Sequence, residues 1–531
     1  MNYFKTSILA AILPLLFSCG QAPETTWINP IDHSLWRGER AGAVVMVQDS
    51  LEISGLRASV KGIPFAEVHP LTYVTGDVLG EGFRQCGWRK NKKEWDSIRV
   101  ADRICNDKVV TPVAGEPQKF WLSVKVPADC KPGHYDGSVK ISGKGMKTVR
   151  VPFSIEVADR TLPPAKDWEF HLDLWQNPYS VARYHNVEPW SEEHFKYLKT
   201  EMQPLADAGQ KVITATILDR PWNGQTEDAF GSMVVKTLDA DGNWAYDYSI
   251  FDRWVEFMMS LGIDKQISCF TMIPWKLTFD YVDAASGETK FITAAADSPE
   301  YRDYWQPFLK DFAAHLKQKG WFEKTCIAMD ERPMEAMQAC LEVIHGAVPD
   351  FKVSLAGSYH EEIADQIYDL CVGLLHPYED EIINERRAKG MVSTYYTCCS
   401  ERYPNTFMVS NPMEACWLGW MALYGNYDGY LRWAFNSWTK DPVNDARFIH
   451  WPAGDCYMVY PDGCSSVRFE RVVEGFQDYE KASILRKEWE AAGESDKLRQ
   501  LEEAINLFTV PRLGEEGPEH ALSVARKALE L

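Results

Sequence analysis

Asp330 and Glu331 stand side by side at the end of an apolar run, Cys326-Ile327-Ala328-Met329, and are followed by Arg332-Pro333. Two carboxyl groups at one point can divide the work of breaking an acetal. One donates a proton to the leaving oxygen, and the other manages positive charge at the carbon under attack. The same residues also fit a helix start, with Asp330 capping the helix after Pro333 and Glu331 solvated.

Elements that would position such a pair are legible from residue 165 onward. Eight short apolar runs read as strands: Phe170–Trp175, Val212–Leu218, Gln266–Met272, Thr325–Met329, Phe351–Ala356, Leu370–Leu375, Met391–Thr397 and Gly429–Phe435. Amphipathic helical stretches alternate with them, among them Glu192–Ala208, Phe251–Leu261, Pro299–Lys319 and Glu361–Asp369. In the third of these, Tyr304, Phe308, Phe312 and Leu316 recur at helical spacing. Alternation of this kind predicts a (β/α)8 TIM-type barrel, whose active site lies at the C-terminal strand ends. From about Phe469 the chain reads as charged closing helices.

The strand ends are polar and aromatic. The first carries His171, Asp173 and Trp175 on one face, with Leu172 and Leu174 on the other. Asp219-Arg220 with Trp222 follows the second and Trp275 the third; Ser358-Tyr359 and His376 follow the fifth and sixth. The seventh offers Tyr395-Tyr396, and the eighth Asn436 and Trp438. Tyr395, Asn436 and Trp438 are the expected sugar-pocket residues, with His171, Asp173, Trp175, Trp275 and His376 as further candidates. Retaining barrels commonly place a carboxylate nucleophile on strand seven. Here that strand ends in tyrosines, with no carboxylate before Glu401. Two consecutive carboxylates on strand four point instead to a substrate that supplies its own nucleophile, a 2-acetamido group.

Residues 20–164 have a different rhythm, with short alternating runs such as Gly42–Val47, Leu51–Val60, Phe120–Val126 and Tyr135–Ile141. They predict an all-β sandwich. Thr161-Leu162-Pro163-Pro164 stiffens the passage into the barrel at residues 165–531. Residues 1–19 read as an export leader. Lys5 precedes an apolar run too short to span a bilayer, and Leu16-Phe17-Ser18-Cys19 resembles a lipobox that would put a lipid on Cys19. A plain signal peptide is the alternative. Any membrane attachment would be through that lipid. A net charge of -20 excludes a nucleic-acid partner. The cysteines show no metal-ligand spacing, so no metal is expected, and Cys86 with Cys105 is the one disulfide suggested.

The opening His171-Leu172-Asp173-Leu174-Trp175-Gln176, the Asp330-Glu331 pair and the late segments are together specific. Those segments are Gly429 to Trp438, Ala453-Gly454-Asp455, Tyr460-Pro461, Arg468-Phe469-Glu470 and Gly475 to Glu480. The chain resembles glycoside hydrolase family 123, the bacterial β-N-acetylgalactosaminidases, from the sandwich through the barrel. That resemblance implies a glycan substrate with terminal β-N-acetylgalactosamine, retention through an oxazolinium ion, and no cofactor. It makes Asp330 the stabilising residue and Glu331 the acid/base. Arg332 departs from the pattern, which would place Pro directly after the pair. The competing readings are a β-N-acetylglucosaminidase or other β-glycosidase, and an inactive glycan-binding lipoprotein.

Overall fold

The computed structural model describes residues 23–48, 53–78, 97–113 and 116–531. Cys19 and Cys86 lie outside the described residues. The chain opens with β1 (Thr25–Ile28), β2 (Leu35–Arg37), β3 (Arg40–Val47), β4 (Ser54–Lys61), β5 (Ala66–Asp77) and β6 (Ser97–Ile104). Next come β7 (Gln118–Lys125), β8 (Gly133–Lys144) and β9 (Val149–Thr161). Two sheets form: β1-β3-β7-β5-β6, and β2-β9-β8-β4. Strand alternation explains their packing. Ala43, Val45, Phe120 and Leu122 meet Val139, Ile141 and Ile155 of the second sheet, while Val44 and Trp121 point the other way.

The barrel begins with β10 (His171–Leu174), α1 (Pro178–His185), α2 (Glu192–Ala206) and β11 (Val212–Thr216). After β12 (Val235–Leu238), β13 (Trp244–Asp247) and α3 (Ser249–Ser260) comes β14 (Gln266–Phe270). Strands β15 (Thr278–Asp283) and β16 (Thr289–Thr293) join β12 and β13 in a small side sheet. The barrel resumes with α4 (Pro299–Lys319), β17 (Thr325–Asp330), α5 (Met334–Ala347), β18 (Lys352–Gly357) and β19 (Asp369–Gly373). Then follow α6 (Asp380–Ala388), β20 (Val392–Tyr396), α7 (Glu414–Tyr424), β21 (Gly429–Arg432) and the short β22 (Ser465–Ser466). Helices α8 (Val467–Ala492), α9 (Ser495–Ile505), α10 (Val510–Glu516) and α11 (Glu519–Ala528) close the chain.

Eight strands lie parallel in the order β10-β21-β20-β19-β18-β17-β14-β11. All eight expected barrel strands are therefore present, in an N-terminal β domain followed by a TIM-type barrel with C-terminal helices. One expected helix is absent. Between β18 and β19 there is only a single 3-10 turn, Ala364–Gln366. The apolar stripe there consists of Ile363 and Ile367, both buried, which anchor a connection too short to sustain helical propagation.

The ring closes between β10 and β11, where a regular ladder gives way to side chains. One backbone bond, Lys211 N to Leu172 O at 2.9 Å, is supplemented by two buried glutamines. Gln210 Oε1 accepts from Leu174 N at 3.0 Å, and its amide donates to Val212 O at 2.7 Å. Gln176 Oε1 accepts from Thr214 N at 2.9 Å, and its amide donates to Leu174 O. A carboxamide carries the same donor and acceptor as a peptide group, so it bridges strands that have splayed apart.

Helix α8 runs against the outer face of the first sheet, and several of its buried charges pair with the β domain. Arg468 meets Asp102 at 3.0 Å and Lys481 meets Glu39 at 3.0 Å. Arg471 and Glu474 bond the two sides of the Gly42 peptide at 3.0 and 2.9 Å. Strand β22 pairs with β6, so Ser465 lies opposite Ile104. That register brings Cys464 beside Cys105, and the two form a disulfide. The expected Cys86–Cys105 pairing is thereby corrected: the partner lies 359 residues away, across a sheet edge that spacing along the chain cannot reveal.

Replacing Gln210 by Leu leaves the Leu174 N–H and the Val212 carbonyl without that partner. A buried orphan of this kind costs about 1–3 kcal/mol. Gln210→Leu should therefore lower the thermal midpoint by a few degrees, measured by calorimetry. A midpoint equal to that of the parent would show that the seam does not depend on the amide.

Candidate active site

Inward positions at the C-terminal strand ends form an apolar floor of Trp175, Phe270, Ala328, Cys371 and Leu431. Above it opens a cavity of about 450 Å³ bounded by Asp330 and Glu331 on one side. Trp175 stacks on Trp222 at 5.2 Å, and Phe270 lies 4.4 Å from Trp175. Trp433 and Trp451 meet edge to face at 5.7 Å across the other wall. Indole faces beside carboxylates suit a sugar, whose axial C–H groups stack while its hydroxyls take hydrogen bonds.

Asp330 continues the inward face of Ala328. Burial pushes its carboxyl up to about 6 despite the guanidinium of Arg332 beside it. Arg332 Nη1 lies 2.8 Å from Asp330 Oδ1, although at an angle that leaves that oxygen without a well-formed hydrogen bond. Arg332 is itself held by Nε donating to Ile273 O at 2.8 Å, and its guanidinium sits 4.2 Å from the ring centre of Trp275. Glu331 takes a hydrogen bond from the Tyr396 hydroxyl. Burial, with that carboxylate adding to it, holds the phenol well above its usual range. Gly357 at the end of β18 leaves room for Glu331: a Cβ there would stand 3.3 Å from Glu331 Cγ.

Two further carboxylates on the wall are engaged elsewhere. Glu401 accepts from Cys398 N at 2.7 Å and folds its own loop. Asp455 pairs with Arg432 at 2.7 Å and accepts from Trp433 Nε1 at 3.1 Å. The loop carrying Trp451 and Asp455 is fastened by the β domain: Asp77 accepts from Ala453 N at 2.7 Å, and Thr75 exchanges backbone bonds with Asn444 and Ala446. No group of residues suited to hold a metal ion occurs among the described residues.

Of the expected site residues, Asp330, Glu331, Trp175, Trp275 and His376 line this cavity. Tyr395, Asn436 and Trp438 do not. Tyr395 faces outward and donates to Leu418 O of α7 at 2.6 Å, so its neighbour Tyr396 is the inward residue. Asn436 and Trp438 lie beyond the end of β21, where strand alternation no longer holds. Asn436 is buried against Asn177 at 2.8 Å, and Trp438 donates to Val459 O at 2.9 Å. His171 and Asp173 point inward as expected but sit below the floor, near Asp369 and under Trp175 respectively. Sequence reasoning passed over Tyr396, Trp433, Trp451 and Asp455 as pocket residues, and Arg332 as the cation beside Asp330. Arg332 had one signal, its unusual place after the acidic pair.

A barrel mouth with paired carboxyl groups among tryptophans marks the chain as a carbohydrate-cleaving enzyme of the TIM-barrel class. Residues 175–485 match the glycoside hydrolase 123 catalytic domain, and residues 21–143 match the glycoside hydrolase 123 N-terminal domain. The chain belongs to glycoside hydrolase family 123. It is similar in structure to a family 123 glycoside hydrolase from Clostridium perfringens, with a TM-score of 0.84 at 24% identity over 94% of this chain and 92% of that one. A Bacteroides ovatus GH5 xyloglucanase aligns over 85% of this chain and 100% of that one at 7% identity, with a TM-score of only 0.31. No protein of curated function matches the sequence.

Asp330 ionises near 6 with Arg332 favouring its charged form, so removing that cation raises the midpoint. An opposite charge at this range is worth roughly 1–3 pH units. Arg332→Gln should move the acid limb of kcat/KM upward by about one unit or more. An unmoved limb would mean that the limb does not report Asp330.

Proposed function

We propose that this chain removes terminal β-linked N-acetylgalactosamine from glycans, with retention, by substrate-assisted catalysis. The adjacency of Asp330 and Glu331, with a tyrosine rather than a carboxylate at the end of β20, carries the reading. Asp330 accepts the acetamide N–H and orients the acetamide oxygen toward the anomeric carbon. As that oxygen bonds to C1, the glycosidic C–O bond breaks and Glu331 gives its proton to the departing oxygen. The positive charge of the resulting oxazolinium ion is supported by Asp330, which stays ionised above its midpoint near 6. Water then transfers a proton to Glu331 as its oxygen joins C1 from the face the leaving group vacated, while the bond from C1 to the acetamide oxygen breaks and the neutral acetamide is restored. Two inversions leave the original configuration. Tyr396 donates to Glu331 Oε1, which favours proton transfer through the other oxygen.

The galacto preference follows the family resemblance. The Clostridium perfringens enzyme hydrolyses glycolipid glycans, and we extend that substrate class to this chain. In this reading residues 165–531 carry the chemistry and residues 20–164 brace it. Export and lipidation at Cys19 belong to the same proposal, and the Cys105–Cys464 disulfide supports an oxidising compartment. No helix among the described residues is long and apolar enough to cross a membrane.

Aryl β-glycosides that differ only at C2 and C4 test the reading. The expected order is hydrolysis of the 2-acetamido galacto substrate, slower hydrolysis of its gluco epimer, and none of the plain β-galactoside. A thiazoline mimic of the intermediate should bind far more tightly than the substrate. Equal turnover of the plain β-galactoside, with no thiazoline inhibition, would replace the mechanism with a conventional one.

A further inference from the structure

Two cavity indoles have their N–H groups held by buried carboxylates, and the two tethers differ. Trp433 is held by Asp455, which Arg432 neutralises at 2.7 Å. Trp175 is held by Asp173 at 3.3 Å, directly beneath the cavity floor. Asp173 belongs to a cluster on three strands. His171 Nε2 of β10 lies 3.5 Å from Asp369 Oδ2 of β19, and the same oxygen accepts from Gln266 of β14 at 2.7 Å. None of these four side chains lines the cavity.

Buried carboxyls inside a barrel carry a desolvation cost that packing alone does not require. Apolar side chains fill most barrel interiors, as Phe270, Ala328 and Leu431 do one layer higher. Asp173 Oδ1 and Asp369 Oδ1 have no well-formed hydrogen bond. Among the hydrogen bonds of the described residues, the one that leads from this cluster to the cavity is that to the Trp175 indole.

We propose that Asp173 is a positioning residue for glycan binding: through the N–H of Trp175 it fixes the plane that this ring presents to the sugar. The charges of His171 and Asp369 act on Asp173 from below, and Trp222 and Phe270 limit the ring from the sides. Without the tether the indole can turn about its χ2 bond, and its stacking face is no longer set before substrate arrives. Burial raises the Asp173 carboxyl to about 7, with the charge of Asp369 adding to the rise and His171 opposing it. Either protonation form retains an oxygen that accepts from the indole. The tether therefore survives across neutral pH.

The inference rests on the reading that this cavity holds the sugar, but on neither the galacto preference nor the acetamido mechanism. It is tested by a double-mutant cycle on whichever aryl β-glycoside the wild-type protein hydrolyses, or by Kd for that sugar in the absence of turnover. Asp173→Leu should raise KM about 3- to 10-fold, the scale of one net hydrogen bond, with kcat nearly unchanged. In the Trp175→Phe background the same change should add less than about twofold, because the N–H is already gone. Trp175→Phe alone should reproduce the rise in KM without disturbing the cluster, and it carries the test if Asp173→Leu does not fold. Asp173→Asn keeps an acceptor and should restore KM to within about twofold of wild type. A crystal structure of Asp173→Leu should show the indole turned. Equal KM penalties in both backgrounds, a loss confined to kcat, an unchanged KM in Trp175→Phe, or an unmoved ring would overturn the proposal.

Discussion

The ion pair between Arg332 and Asp330 governs the mouth of the barrel. At the end of a buried strand Asp330 loses solvation, and the neighbouring charge of Glu331 adds to that cost. Arg332 offsets both costs from the next position along the chain. Its Nη1 faces Asp330 at 2.8 Å, its Nε reaches back to Ile273 O, and its flat face lies against Trp275. One side chain thus ties the end of β17 to the loop after β14 and sets the outer wall of the cavity. Trp275 remains half exposed, so its second face stays open at the rim. A lysine could supply the charge but neither the fork nor the stacking plane.

Positions this demanding need a frame that does not yield. The barrel supplies one by closing its ring with amide side chains where the backbone ladder between β10 and β11 lapses. The β domain supplies another. Its β5 end, through Thr75 and Asp77, grips the loop that brings Trp451 and Asp455 to the cavity. The Cys105–Cys464 bridge and the β6–β22 pairing fix the far end of that segment. The sandwich is therefore part of how the site keeps its shape, although none of its described residues lines the cavity wall.

Much of this was legible in the sequence because parallel strands buried on both faces leave dense apolar runs. The acidic pair stood out because charge at the end of such a run has few structural uses. What the sequence concealed follows from geometry. Tyr395 and Tyr396 are chemically alike, and a shift of one residue decides which of them enters the cavity. Asn436 and Trp438 lie past β21, so strand parity says nothing of their direction. Trp451 and Asp455 reach the site on a loop held by a distant sheet, as Cys464 reaches Cys105. Pairings of that range have no local signature. His171 and Asp173 were read on the correct face but at the wrong depth, since alternation fixes side and not height.

The division of labour between the two carboxyls is the centre of the account, and leaving-group dependence tests it most directly. Glu331→Gln removes the proton donor, so aryl glycosides with acidic phenols should be spared while poor leaving groups lose about 10²–10⁴-fold. Asp330→Asn removes the charge that supports the cation, so activity should fall alike for good and poor leaving groups. Azide should speed turnover only in the Glu331 variant, because it replaces a water that needs a base. Matching leaving-group slopes in the two variants, or azide rescue of Asp330→Asn alone, would contradict the assignment.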